Sequence, residues 1–143
     1  MTHARVLIAD DLMTVLTTVA ELLQDSFDVV GMVSDGRTAL ETTLELKPDL
    51  AVLDISMPGM TGIEVARELR SRGNIAKVVF LTVHENPNIV TTCLAAGGLG
   101  YVMKDLMGTD LIPAMNEALA GRVFLSRRSS KQETPSTETS DPQ

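Results

Sequence analysis

The sequence predicts an α/β fold built on a doubly wound parallel sheet, and three observations carry that prediction. Five short apolar runs recur along the chain, segments of helical spacing separate them, and most of the runs are almost continuously apolar instead of alternating. Continuous apolarity suits strands covered on both faces, as in a parallel sheet flanked by helices.

The first run, ARVLIA from Ala4, is followed by Leu12, Leu16, Val19 and Leu23 at three-to-four-residue steps, the spacing of one helix face. DVVGMV from Asp28 predicts the second strand, and Ala39, Leu40, Thr43 and Leu44 a second helix with a weaker stripe. DLAVL from Asp49 leads to Ile63, Ala66 and Leu69, and KVVFLTV from Lys77 leads to Val90, Cys93 and Leu94. GYVM from Gly100 closes the set and leads to Leu111, Met115, Ala118 and Leu119. Pro113 would break a helix interior. The last helix is therefore expected to start with Thr109 as N-cap, which puts Pro113 in the first turn, where a missing N–H loses no partner. Gly121 supplies its stop. Such strict alternation over about 120 residues gives an open sheet with right-handed crossovers.

Beyond Ser126 the composition changes to RRSSKQETPSTETSDPQ, which has no apolar residue and cannot offset the entropy of ordering. The expected organisation is one domain over residues 1–126 and a disordered polar tail over residues 127–143. The length of 143 residues fits that reading, since a second full domain has no room. The formal charge is -7 with no long block of Lys and Arg, so direct nucleic-acid contact by this chain is not expected. Cys93 is the only cysteine, which excludes an internal disulfide and fits a reducing compartment. The N-terminus lacks the basic-then-apolar pattern of a signal peptide, and no run approaches the roughly 18 apolar residues of a membrane span. A cytoplasmic protein without a membrane segment is expected.

In doubly wound sheets ligands gather at the carboxyl ends of the strands, beside the switch in strand order. Asp10 and Asp11 follow the first predicted strand, Asp54 follows the third, Thr82 ends the fourth and Lys104 follows the fifth. All fall on one edge of the sheet. Carboxylates within about 4 Å of each other repel by several kcal/mol per pair even at an effective dielectric near 20. A hard divalent cation resolves the conflict, and an oxygen donor set suits Mg²⁺ or Mn²⁺ better than zinc. A carboxylate can also act as a nucleophile toward an activated phosphoryl group. Asp54, alone at the end of the central strand, is the candidate; Lys104 would supply a point charge and the Thr82 hydroxyl a hydrogen bond.

In these residues the chain resembles the receiver domain of two-component response regulators, over roughly residues 4–126. Asp10-Asp11, the segment DISMPGMTG beginning at Asp54, Thr82, and GYVMK ending at Lys104 agree with that family in order and spacing. The resemblance implies a flavodoxin-like five-stranded sheet of strand order 2-1-3-4-5. It implies phosphoryl transfer from a sensor histidine kinase to Asp54, in a protein that is no enzyme in the ordinary sense but promotes its own phosphorylation and dephosphorylation. It further implies Mg²⁺ bound by Asp11, Asp54 and the Ser56 carbonyl, with Asp10 reaching the metal through water. Tyr101 occupies the place of an aromatic that turns inward when Thr82 moves toward the phosphoryl group. That switch would alter partner binding or self-association through the face made by the fourth helix, fifth strand and fifth helix.

The finer resemblance is to receivers that precede LuxR-type helix-turn-helix domains. It rests on ALAGRVFLS, beginning at Ala118, and on Asp105 after Lys104 where many receivers have proline. Both a stand-alone receiver and the receiver part of a longer regulator fit the 143 residues. Other departures from the family pattern are Val83, bulkier than usual after Thr82, and Gly97-Gly98 in place of Gly-Ala, which is expected to loosen the approach to Tyr101. His84 stands where receivers tune dephosphorylation, and Cys93 reads as a small core or interface residue.

Competing readings are weaker. A phosphorylation-independent interaction module with the same fold would not need the intact set of Asp10, Asp11, Asp54, Thr82 and Lys104. A haloacid-dehalogenase type of hydrolase would carry a second acid where this chain has Ser56. A flavin carrier would need a Gly-rich or Ser/Thr-rich phosphate cradle and more aromatic residues.

Overall fold

In the computed structural model, which describes residues 3–83 and 86–126, strands and helices alternate as the apolar runs predict. The strands are β1 (Arg5–Ala9), β2 (Asp28–Val33), β3 (Leu50–Asp54), β4 (Lys77–Thr82), β5 (Gly100–Met103) and β6 (Phe124–Leu125). The helices are α1 (Met13–Leu23), α2 (Gly36–Leu46), α3 (Gly62–Ser71), α4 (Pro87–Ala95) and α5 (Met107–Leu119). All strand pairs are parallel, in the order β2-β1-β3-β4-β5-β6. The expected order 2-1-3-4-5 is present, and the sheet is one short strand wider than expected.

Alternation along each strand divides the core between two layers. Val6, Ile8, Leu50, Val52, Val79, Leu81 and Val102 pack with Leu16, Val19 and Leu23 of α1 and Leu111, Met115 and Ala118 of α5. Ala9, Ala51, Leu53, Phe80, Tyr101 and Met103 pack on the other face with α2, α3 and Cys93 of α4. β3 is buried at every position, while β2, at the edge, is only half-buried. This is why β3 reads as a continuous apolar run: each of its side chains faces a helix layer.

Local chemistry sets the helix starts. Asp35 caps α2 by accepting from the Thr38 N–H at 2.8 Å. Thr61 and Glu64 form a reciprocal capping box on α3, with contacts of 3.1 and 2.8 Å. Asn86 caps α4 and Pro87 occupies its first turn. Leu12, expected on the buried stripe of α1, lies outside the helix as its N-terminal flank and is exposed.

The expected start of the last helix is corrected. A 3₁₀ turn over Lys104–Leu106 leads directly into α5, so Pro113 lies inside the helix and Thr109 is no N-cap. The Thr109 hydroxyl instead donates back to the Leu106 carbonyl at 3.1 Å, within the first turn. Pro113 therefore leaves the Thr109 carbonyl without its usual i+4 backbone donor. Gly97 has φ of 96°, a left-handed turn after α4. A Cβ on Gly98 would lie 2.5 Å from the Phe80 ring and 3.0 Å from the Cys93 carbonyl. The ring occupies the space that a methyl group would take.

The sixth strand follows Gly121, whose φ of 80° ends α5. Phe124 N–H donates to Leu99 O and Ser126 N–H to Tyr101 O, both at 2.8 Å. β5 is thus covered by a neighbour, and the face expected to run from α4 over β5 to α5 is completed by β6. Residues 127–143, expected as a tail, and His84 lie outside the described residues. Among the described residues no helix is long and apolar enough to cross a membrane.

Candidate functional site

The predicted residues converge on the carboxyl edge of the sheet, where β1, β3, β4 and β5 end. Asp10 stays tied to the sheet, because its N–H donates to the Val33 carbonyl at 3.1 Å, and it is fully buried. Its Oδ1 accepts from the Leu12 N–H at 2.9 Å, which turns the chain into α1. Asp11, the next residue, is exposed. Asp54 is the last residue of β3 and is buried, and Thr82, the last of β4, is also buried. One ligand oxygen from each of Asp10, Asp11 and Asp54 lies within 4.8 Å of the others.

Lys104, the first residue after β5, reaches back over this edge. Its Nζ is 2.7 Å from Asp10 Oδ2 and 3.3 Å from Asp54 Oδ1. The Asp10 contact is short, and Lys104 is the one partner among the described residues that reaches the buried Oδ2. Asp54 Oδ1 also accepts from the Ser56 N–H at 3.3 Å. Ser56 itself is exposed in the loop after β3.

Charge and burial are out of balance here. Burial first, and the Asp10 carboxylate second, push the Asp54 carboxyl up to about 6, against the opposing pull of Lys104. Burial works to lower the Lys104 ammonium, but contacts with Asp10 and Asp54 outweigh it and the net shift is upward. The Lys104 ammonium pairs with two of the three clustered carboxylates, Asp10 and Asp54. A cluster of three carboxylates with one ammonium on two of them fits a hard divalent cation.

Some of the site was not anticipated. A Cβ on Gly62 would fall 2.2 Å from the Asp54 carbonyl, and the Gly62 N–H donates to Ile55 O at 2.9 Å. The loop after β3 therefore folds back onto the strand end, which only glycine permits. The signal was present as the last residue of DISMPGMTG, but its role is visible only once the backbone approach is seen. Tyr101 is buried on the α2–α4 side of β5, in register with Phe80. Val83 is exposed beside the site. Cys93 is buried, and burial pushes its thiol up to about 11, which makes it an inert packing residue.

Residues 6–116 match the family model described as the response regulator receiver domain. The chain belongs to that family. The nitrate/nitrite response regulator protein NarL of Escherichia coli is 37% identical over 125 residues, covering 86% of this chain and 58% of that protein. This receiver chain therefore spans less than two thirds of that curated relative. The crystal structure of a LuxR-family two-component response regulator from an Aurantimonas species superposes with a TM-score of 0.83 at 29% identity. That alignment covers 92% of this chain and 95% of the other. The isolated receiver of RcsB from Salmonella enterica serovar Typhimurium, solved with the phosphomimetic BeF₃⁻, gives a TM-score of 0.82 at 27% identity, covering 91% and 98%. The similarity to LuxR-family regulators bears out the finer resemblance read from the closing helix.

Proposed function

We propose that this receiver accepts a phosphoryl group on Asp54 from a sensor histidine kinase, and that the modification changes what the chain binds. The observation that carries the reading is the cluster of three carboxylates within 4.8 Å at the carboxyl edge of the sheet, two of which, Asp10 and Asp54, pair with the Lys104 ammonium. In the transfer, an Asp54 carboxylate oxygen forms a bond to phosphorus as the P–N bond of phosphohistidine breaks, the electron pair leaving with the imidazole nitrogen. Asp11, Asp54 and the Ser56 carbonyl would hold Mg²⁺, or Mn²⁺, with Asp10 acting through water. The ion would supply positive charge against the phosphoryl oxygens.

The chain's own residues do the rest. Burial keeps Asp54 away from bulk water, Lys104 places one cation beside it, and the Thr82 hydroxyl is the hydrogen-bond donor for a phosphoryl oxygen. Tyr101 then carries the change to the surface of α4, α5 and the strands between them. Shifting a two-state balance from 1:99 to 99:1 takes about 5.5 kcal/mol, more than one neutral hydrogen bond supplies. Charge pairing through Lys104 is therefore part of the switch; a bound cation would add positive charge there, and the same site would promote loss of the phosphoryl group to water. We assign the receiver to residues 1–126, with residues 127–143 as a separate polar segment. The reading also places the chain in the cytoplasm, where its kinase would present the phosphohistidine.

Intact mass after incubation with acetyl phosphate tests this directly. The wild type gains one phosphoryl group only when Mg²⁺ is present, and Asp54→Asn gains none. Equal labelling of the variant would remove Asp54 from the reading, and labelling in EDTA would remove the metal.

A further inference from the structure

The last described residue, Ser126, joins three elements with one hydroxyl. Ser126 Oγ donates to Asp110 Oδ2 of α5 at 2.8 Å and accepts from the Met103 N–H of β5 at 3.1 Å. Its own N–H donates to Tyr101 O at 2.8 Å. In a continued parallel ladder the next bond would run from the Met103 N–H to the Ser126 carbonyl. Here the side chain takes that bond, and the ladder ends with a cross-link to α5 in place of another rung. Asp110 Oδ1 lies 3.2 Å from Thr109 Oγ1, where it shares that hydroxyl's one proton with the Leu106 carbonyl.

The position of this cross-link is what gives it consequence. Met103 immediately precedes Lys104, whose ammonium bridges Asp10 and Asp54. Tyr101, whose carbonyl receives the Ser126 N–H, is the buried aromatic of the same strand. Parallel pairing also means that β6 runs toward the site edge, which brings Ser126 to the carboxyl end of β5. Two adjacent residues at that end are therefore engaged: the Lys104 side chain by the anionic site, the Met103 N–H by Ser126.

We propose that Ser126 and Asp110 are positioning residues that fix the end of β5 under Lys104 and couple occupancy of the Asp54 site to the pairing of β6 with β5. The inference rests on the phosphoryl-acceptor reading and adds to it the direction of output. An anion bound at Asp54 gives Lys104 a further fixed partner and locks the end of β5. Opening the β6 exit then costs more, and its amides exchange more slowly. Linkage makes the effect reciprocal: loosening the exit must weaken anion binding by the same factor.

Hydrogen exchange on the full chain, read by mass spectrometry with and without Mg²⁺ plus BeF₃⁻, tests the coupling. In the wild type, exchange at Phe124 and Ser126 slows by about fivefold on adding the phosphoryl mimic, within the usual range of coupling between sites. In Ser126→Ala these amides exchange roughly tenfold faster without ligand, the response to the mimic disappears, and the affinity for BeF₃⁻ falls by about the factor lost from the exit response. Ser126→Thr keeps the hydroxyl and restores both. Asp110→Ala, a substitution that suits a helix, shows the same direction of change and serves if Ser126→Ala does not fold.

Protection of the loop after Asp54 reports BeF₃⁻ binding independently. If that loop is protected while the exit amides do not respond, the coupling is overturned and the acceptor reading stands. If the exit responds equally in wild type and Ser126→Ala, the role of Ser126 is overturned. If the loop is not protected in the wild type, the acceptor reading fails and this inference falls with it.

Discussion

Asp54 lies 3.3 Å from the Lys104 ammonium, yet burial and the neighbouring Asp10 charge together hold its carboxyl at about 6, above the ordinary 3.8. Across that window the folded chain binds more protons at this position than the unfolded chain. Stability therefore falls as pH rises through it and is lowest above it. The site is built at the expense of the fold, and the cost appears when Asp54 ionises. Asp54→Asn removes this dependence, and in metal-free buffer at about pH 7.5 it is more stable than the wild type by on the order of 2 kcal/mol. Urea midpoints at about pH 4 and pH 7.5 read the difference, and an unchanged gap between variant and wild type at both would refute it. The identities of Asp10, Asp54, Thr82 and Lys104 were legible because each polar group interrupts or ends an apolar run. That Asp10 is fully buried while Asp11 is exposed was not legible, since it depends on the turn made by the Asp10 carboxylate and the Leu12 N–H.

At the scale of elements, strand positions were legible and junctions were not. Apolar runs fixed β1 to β5 to within about a residue at each end, as burial on both faces requires. The start of α5 was misplaced because Pro113 argued for a first-turn position, and a 3₁₀ lead-in from Lys104 leaves no such signal. β6 was missed because two residues with one strand neighbour carry no period. The packing at Gly98 was not legible for a related reason: a glycine's freedom is visible in the sequence, but the ring that takes up its space is not. Gly98→Ala would put a methyl group 2.5 Å from the Phe80 ring. It should destabilise the chain by about 1–3 kcal/mol, the usual cost of overpacking a core. Combining it with Phe80→Leu should recover part of that loss, since the two changes share one space. Additive losses in thermal or urea unfolding would show that Phe80 is not what excludes the methyl group.

For the molecule as a whole, the parallel sheet follows from run lengths and alternation, whereas the strand order came from family resemblance, because spacing alone does not say which strands are neighbours. The order matters, because β1 beside β3 brings Asp10 and Asp11 to Asp54, and β4 and β5 beyond them bring Thr82 and Lys104. A chain of net charge -7 concentrates three carboxylates at that one edge against one ammonium. A cation that binds only this folded arrangement stabilises it by mass action, by about 2.7 kcal/mol at a hundredfold excess over its dissociation constant. Titrating Mg²⁺ into chelated protein should therefore raise the unfolding midpoint progressively. Screening of the overall negative charge would also raise it, so K⁺ at matched ionic strength sets the baseline. Asp11→Asn separates the two effects, because it removes an exposed ligand and one charge while leaving the buried Asp10–Lys104–Asp54 contacts in place. The wild type should respond to Mg²⁺ well beyond the K⁺ baseline and the variant should follow that baseline. An equal Mg²⁺ response in both would mean that the ion acts on the general charge of the chain and that the acidic edge is no metal site.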